Sequence, residues 1–206
     1  MNLQKLFMKL MFVFLILMTQ ITQLQAAEHM IVPKFGVVNR GDNTNHHVDN
    51  NSFNFDDDSV VSLGVTYLYR MDNGYAFGAD FYGYENKIIT TANNNGDAKT
   101  GHLYGVFQKY INSDDTIQPY IGVGIGLVSV SFDANISGAI SDDFEDNAIG
   151  LSYEVILGSE FSISKNLGVI LEYKYFDFNV DDDIADRNVE IESDGQAVFV
   201  GASIHF

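Results

Sequence analysis

From residue 30 onward, apolar and polar residues alternate with a period of two. Eight such runs can be traced, at 30–38, 59–70, 75–86, 100–110, 117–132, 147–162, 168–178 and 190–206. Because successive side chains of a strand point to opposite sides of a sheet, each run predicts a β-strand with one apolar face. The pattern therefore predicts an all-β fold built from an even number of strands.

The alternation separates two kinds of face. In the second run, Val61, Leu63 and Val65 share one face and Ser62 and Thr66 the other. The final run sets Val198, Val200, Ala202, Ile204 and Phe206 against Ala197, Phe199, Gly201, Ser203 and His205. The fourth run has large apolar residues on both faces, so its orientation stays open.

The connections between the runs alternate in length. Tight turns rich in Asp, Asn and Gly are expected at 71–75, 112–116 and 164–167, as such turns require. Long polar stretches at 39–58, 86–98, 133–147 and 179–190 are expected to form loops. This order predicts an antiparallel up-and-down sheet with short turns at one end and long loops at the other, as in transmembrane barrels.

Two barrels fit eight such strands, a soluble one of lipocalin type and a transmembrane one. The face opposite the apolar one is mostly Gly, Ser, Ala and Thr with an occasional charge, which suits a cramped interior better than a wet surface. Aromatic residues gather near the strand ends, as in the girdles at bilayer interfaces: Tyr67, Tyr69, Tyr75, Tyr173, Tyr175 and Phe206. The sequence favours the transmembrane barrel, with its apolar face on lipid.

The first 26 residues have the layout of a secretory signal peptide. Lys5 and Lys9 precede an apolar run at 10–18, and small residues follow before a cleavage point after Ala26. A helix needs roughly 20 apolar residues to span a bilayer, so this run is too short. We expect a signal peptide at 1–26 and a barrel domain at 27–206; the alternative is an uncleaved anchor.

The net charge is -17, and loss of the two lysines of the signal peptide would make it -19. Such a charge argues against nucleic-acid binding and against a polybasic membrane anchor. The chain has no cysteine, so it has no disulfide, thiolate metal site or acylated cysteine.

Two stretches resemble a known family. The run at 119–126, PYIGVGIG, and the ending at 199–206, FVGASIHF, resemble the OmpA/OmpX-type small outer-membrane barrels of Gram-negative bacteria, and the resemblance covers 28–206. It implies an eight-stranded antiparallel up-and-down transmembrane β-barrel with short periplasmic turns and long extracellular loops, located in the cell outer membrane. It also implies that Phe206 belongs to the signal read by the barrel-assembly machinery, and that the barrel contacts outer-membrane lipid and lipopolysaccharide. We expect no peptidoglycan-binding domain after the barrel, and so we do not carry over the wall-anchoring role of larger family members.

Charged residues are predicted on the interior face: Arg70, Asp80, Glu154, Glu172 and Lys174. Because an unpaired buried charge is costly and both signs are present, a charge-paired plug of the lumen is the preferred interpretation. A narrow passage for ions is the alternative. A wide pore is excluded by the number of strands.

The predicted loops carry most of the acidic residues: Asp56, Asp57, Asp58, Asp142, Asp143, Glu145, Asp146, Asp181, Asp182 and Asp183. Carboxylates could bind divalent cations there, or bridge through them to lipopolysaccharide phosphates. None of the runs has the spacing of a calcium loop, so solvated charge is the preferred interpretation, and no metal site or cofactor is predicted.

Four histidines, in three parts of the chain, are candidates for catalysis. Ser203 and His205 face inward at the periplasmic end, His102 lies near the outer end of its strand, and His46 and His47 adjoin Asp42 and Asp49. No third group can be tied to any of them from spacing alone. The sequence therefore predicts a non-enzymatic barrel with a plugged polar lumen that displays acidic loops. A narrow channel and a lipid A-modifying barrel enzyme are the alternatives.

Overall fold

A computed structural model describes residues 27–41, 45–48, 51–52, 54–55, 59–89, 95–111, 116–134, 144–184 and 187–206. The expected signal peptide at 1–26 lies outside the described residues. Eight long strands cover the eight predicted runs: β1 (Ala27–Arg40), β5 (Ser59–Met71), β6 (Tyr75–Ile89), β7 (Asn95–Tyr110), β8 (Ile117–Ala134), β9 (Phe144–Ser164), β10 (Leu167–Ile184) and β11 (Arg187–His205). Between β1 and β5 lie three short strands, β2 (Asn45–Val48), β3 (Asn51–Ser52) and β4 (Asn54–Phe55). No helix among the described residues is long and apolar enough to span a membrane.

The eight long strands form a closed antiparallel barrel. Each pairs with its neighbours in chain order, and β1 pairs with β11 to close the ring. The two ends of the seam exchange backbone hydrogen bonds, His29 N to Phe206 O at 3.1 Å and Phe206 N to His29 O at 3.0 Å. Closure leaves the ring without a free edge strand, whose unpaired N–H and C=O groups could otherwise pair with another chain.

The strands are strongly staggered around the ring. Following paired residues once around the barrel from Met30 returns to β1 at Arg40, ten residues further on. The partners passed on the way are Leu68, Gly78, Val106, Gly124, Glu154, Phe176 and Gly195. A barrel of eight strands with this stagger is tilted, and its interior holds side chains rather than an open pore.

The predicted apolar faces lie on the outside of the barrel. Val61, Ile125 and Leu151 are 71%, 72% and 70% exposed, while their neighbours Ser62, Gly124 and Ser152 face the lumen. The orientation left open for the fourth run is now assigned: β7 turns Leu103 and Phe107 outward and Tyr104, Val106 and Tyr110 inward. An apolar exterior on a closed ring matches the transmembrane prediction.

The connections β5–β6, β7–β8 and β9–β10 lie at one end of the barrel, here called the turn end, and the other connections lie at the opposite loop end. At the turn end, Gly74 adopts a φ of 78° and donates its N–H to the carbonyl of Met71 at 2.8 Å, which reverses the chain between β5 and β6. At the same end, the turn between β9 and β10 consists of only Lys165 and Asn166.

Pro33 marks an irregular point of the seam, as expected for a residue without an N–H. The β1–β11 ladder pairs Ile31 with Ile204 and resumes at Lys34 with Gly201, in the same register. Pro33 itself is exposed on the outer face.

The expectation of a long loop at 179–190 is wrong. β10 and β11 continue to a tight connection at which Ile184 pairs with Arg187, so Asp181, Asp182 and Asp183 belong to β10. Val180 and Ile191, which are directly paired, are 0% and 1% exposed and extend the inward apolar positions beyond the membrane band.

Candidate functional site: the barrel lumen

A cluster of five charged residues fills the middle of the lumen; we call it the central ion cluster. It comprises Lys34, Asp80, Glu154, Glu172 and Lys174, all at most 4% exposed. Lys174 Nζ lies 2.5 Å from Asp80 Oδ2 and 2.8 Å from Glu154 Oε1. Lys34 Nζ lies 2.7 Å from Asp80 Oδ1 and 3.0 Å from Glu172 Oε1. Lys174 Nζ also lies 3.6 Å from Glu172 Oε1, so each ammonium has at least two carboxylate partners, as buried charges require.

The central ion cluster connects opposite walls of the barrel. In the ring order β6 and β10 are separated by three strands on either side, so Asp80 and Lys174 approach each other from opposite sides. Lys34 projects from β1 and Glu154 from β9. Contacts of hydrogen-bond length therefore join opposite walls of the barrel at this level.

Neighbouring side chains satisfy the remaining acceptors of the central ion cluster. Thr66 Oγ1 donates to Asp80 Oδ1 at 2.5 Å, and the Tyr120 hydroxyl donates to Glu172 Oε2 at 3.0 Å. Lys34 Nζ also lies 4.9 Å from the centre of the Phe199 ring, and Lys174 Nζ lies 5.2 Å from that of Tyr82. Full hydrogen bonding and ring contacts of this kind offset the cost of burying charge.

Toward the loop end, a layer of packed rings covers the central ion cluster. Tyr82 lies 4.8 Å from His102 and 5.3 Å from Phe199, measured between ring centres, and His102 lies 5.3 Å from Phe176. The Tyr104 hydroxyl is 2.5 Å from Ser152 Oγ and 3.0 Å from His102 Nδ1. These buried rings form a second layer across the lumen, here called the aromatic layer: Tyr82, His102, Tyr104, Phe176, Phe178 and Phe199.

Toward the turn end, a third layer also crosses the lumen. Arg70 Nη1 on β5 lies 3.5 Å from Glu160 Oε2 on β9, the strand opposite. Glu160 Oε1 accepts from Ser203 Oγ at 2.6 Å and lies 2.5 Å from His205 Nε2. His205 Nδ1 lies 3.0 Å from Glu28 on β1, which ties the last strand to the first.

The structure buries the five charged residues predicted on the interior face: Arg70, Asp80, Glu154, Glu172 and Lys174. Four of them meet in the central ion cluster, whereas Arg70 lies one layer away and pairs with Glu160. The sequence reasoning missed Lys34 and Glu160. Parity along each strand would have found both, because Lys34 alternates with outward Phe35 and Glu160 shares the inward face of Glu154.

The expected small-residue interior is only partly correct. Glycines, Ser62 and Ser152 do face inward, but bulky Tyr82, Tyr104 and Phe199 are buried beside them. Small and large residues alternate because a narrow tapered lumen must be filled completely. At Gly158, for example, a Cβ would lie 2.5 Å from the Tyr120 hydroxyl, so this glycine makes room for the tyrosine.

The histidines weighed for catalysis are placed in packed or acidic surroundings. His102 is 0% exposed inside the aromatic layer, and Ser203 donates its hydroxyl to Glu160 rather than to His205. Neither arrangement presents an activated nucleophile to a substrate. His46 and His47 belong to β2, while Asp42 and Asp49 lie outside the described residues.

Of the acidic residues predicted in loops, those at 56–58 and 142–143 lie outside the part of the chain that the structure describes. Glu145 and Asp146 belong to β9. Within the described ranges, no group of three or more His, Asp or Glu side chains is placed to hold a metal ion.

Comparison with solved structures finds barrels of the same architecture at low sequence identity. Neisserial surface protein A is 14% identical with a TM-score of 0.60, covering 88% of this chain and 100% of that one. OprG of Pseudomonas aeruginosa is 15% identical with a TM-score of 0.59, covering 88% and 96%. Outer membrane protein W of E. coli is 18% identical with a TM-score of 0.50, covering 89% and 100%.

A search of curated protein sequences finds no significant match. The model of the outer membrane protein beta-barrel domain, in contrast, matches residues 12–206, nearly the whole chain. With its closed ring, apolar exterior and filled lumen, this chain belongs to the family of small outer-membrane β-barrel proteins.

Proposed function

We propose that the protein is a non-enzymatic outer-membrane barrel with a sealed lumen, whose role is to present its extracellular segments for surface interaction or envelope integrity. The observation that carries this proposal is the contact between Lys174 and Asp80, 2.5 Å apart from opposite walls. A lumen crossed by charge pairs and capped by rings supports a rigid scaffold better than a passage.

The same geometry argues against catalysis. His102 is enclosed by aromatic rings and the Ser203 hydroxyl is bonded to a carboxylate, so neither can reach a lipid acyl chain. We therefore assign the proposed surface interaction to the segments at the loop end rather than to the barrel.

Charge narrows the class of surface partner. Ail of Yersinia pestis, another barrel of this shape, was solved with the heparin analogue sucrose octasulfate. The present chain carries a net charge of -17, and its predicted loops hold most of the acidic residues, so these segments would repel a soluble sulfated polyanion. Cationic partners, or divalent cations that bridge the acidic segments to lipopolysaccharide phosphates, fit this charge better.

We further propose that residues 1–26 direct export and are removed, leaving 27–206 as the barrel domain. The basic and apolar segments around Lys5, Lys9 and 10–18 support this division. The barrel-assembly machinery would then recognise the last strand with its terminal Phe206. Amino-terminal sequencing of the membrane form should begin at Ala27.

A deletion strain complemented with the wild-type gene tests the proposed function. The expected phenotype is a change in surface binding or in detergent sensitivity, with the acyl pattern of lipid A unchanged by mass spectrometry. Complementation should survive His102→Phe but fail when residues 135–143 are replaced by a short Gly-Ser linker. An altered acyl pattern that depends on His102 would overturn the non-enzymatic proposal.

A further inference from the structure

A groove of about 500 Å³ lies on the outer surface of the barrel, across β6, β7 and β8. Its floor is a row of small residues, because Gly83 pairs with Gly101 and Gly101 pairs with Ser129. Leu63 on β5 and Phe81 on β6 form apolar walls. The groove is separate from the lumen and faces the surroundings of the barrel.

The glycine at position 101 is not required by the chain itself. A Cβ placed there would meet only Phe81 Cε2, at 3.9 Å, which is ordinary contact. Its backbone does not adopt the positive φ that Gly74 shows. The missing side chain thus leaves space on the outside of the barrel, and a molecule of the membrane must fill that space.

The outward residues along the groove change from apolar to polar toward the loop end. One outward step toward the turn end, the row consists of Phe81, Leu103 and Leu127. One outward step toward the loop end, it consists of Glu85, Lys99 and Ser131. A ligand that matches this order has an apolar chain below and a polar, charged head above.

The rim provides a cation for an anionic head. Lys99 is exposed, and its backbone pairs with that of Glu85 on the neighbouring strand. The hydroxyl groups of Ser129 and Ser131 line the same side of the groove. A phosphate at this depth would meet Lys99 and hydroxyl donors, while its acyl chain would lie on Gly83 and Gly101.

We propose that this groove binds lipid A, the phosphorylated glycolipid portion of lipopolysaccharide, with one acyl chain on the glycine floor and a phosphate at Lys99. The inference rests on the proposed placement of the loop end at the cell surface, where the outer leaflet supplies this lipid. It adds a defined lipid site to a barrel whose lumen is filled.

Native mass spectrometry of the purified full-length barrel tests the site. The protein is exchanged into a mild detergent and titrated with purified lipid A or, separately, with palmitoyl-oleoyl-phosphatidylglycerol. Gly101→Leu should weaken lipid A binding by about tenfold, because the leucine side chain occupies the place of the acyl chain. Lys99→Gln should weaken it by about fivefold, the effect of one lysine near a charged lipid surface.

Gly105→Leu is the matched control. Gly105 is also an outward glycine of β7, its Cβ would meet only Ile125 O at 3.8 Å, and it lies outside the groove. This variant should bind lipid A as the wild type does. Equal binding by Gly101→Leu and wild type, or equal retention of phosphatidylglycerol and lipid A, would overturn the proposal.

The outcome is separable from the proposed function. Every variant is first checked for recovery in the outer-membrane fraction and for a shift in gel mobility between boiled and unboiled samples. Loss of lipid A binding with both properties retained supports the groove. If wild-type protein is recovered in the outer membrane yet fails to bind lipid A, the groove proposal fails while the display function stands.

Discussion

Lys174 Nζ lies 2.5 Å from Asp80 Oδ2, although the two residues project from strands on opposite sides of the barrel. This contact joins opposite walls of the barrel, and the proposal of a sealed lumen rests on it. Arg70 and Glu160 repeat the arrangement nearer the turn end, 3.5 Å apart. The barrel is therefore braced internally at two levels.

Replacement of Lys174 by methionine should destabilise the barrel strongly. Asp80 and Glu154 would be left buried with less positive charge, and breaking a buried ion pair from one side costs about 3–5 kcal/mol. Guanidinium unfolding in detergent measures the loss of stability. The transition is followed by gel mobility and by tyrosine fluorescence, which is not obscured because the chain has no tryptophan. Lys165→Met, in the exposed turn between β9 and β10, is the matched control and should unfold with the wild type. A coincident transition for Lys174→Met would show that the cluster is solvated.

The layer at the turn end should respond differently to two changes at Glu160. Glu160→Ala removes the acceptor of Ser203 and the partner of His205, and should lower the free energy of unfolding by about 1–3 kcal/mol. Glu160→Gln keeps an acceptor oxygen in place and should cost less. The temperature at which gel mobility changes gives the ranking. Equal temperatures for both variants and wild type would mean that this layer does not brace the barrel.

His102 should act as a structural residue. His102→Phe preserves the ring contacts with Tyr82 and Phe176 and should fold, whereas His102→Ala opens a cavity and should cost about 2–5 kcal/mol. Neither change should alter the acyl pattern of lipid A in cells. A folded His102→Phe barrel with a changed lipid A pattern would instead assign His102 a chemical role.

Phe206 should contribute to closing the seam. Its ring stacks on that of His29 at 5.8 Å between centres with an interplanar angle of 16°, beside the paired backbone hydrogen bonds. Such aromatic pairs are worth about 0.5–1.5 kcal/mol beyond the area they bury. Phe206→Ala should lower the folded fraction in the outer membrane, as measured by unboiled gel mobility, and Phe206→Tyr should restore it. An unchanged fraction for Phe206→Ala would contradict a role in closure.

The strands could be predicted from sequence because one physical constraint acts on nearly all of them. Lipid requires an apolar outer face, so apolar residues occupy every second position of a strand. In β9 these are Leu151, Tyr153, Val155 and Leu157. The same parity predicted five of the inward charges, although it was not applied to Lys34 and Glu160. Where both faces carry large residues, as around Tyr104 and Phe107, periodicity loses its contrast and the orientation required the structure.

The pairing of the charges could not be predicted, because it depends on the stagger of the ring rather than on distance along the chain. Lys174 and Asp80 are 94 residues apart in sequence, and their meeting follows from the register of all the strands between them. The polar hairpin near Ile184 and Arg187 was misread for another reason. Beyond the membrane, water allows polar strands, so composition there no longer separates strand from loop.

Planar-bilayer recording of the wild-type barrel tests the sealed lumen most directly. Protein that is confirmed as folded by its unboiled gel mobility is inserted into the bilayer, with a general porin as the positive control for insertion. The account predicts no steady conductance above the bare bilayer. A steady, ion-selective conductance that is abolished or altered by changing Glu172 or Lys174 would contradict it and identify the lumen as a channel.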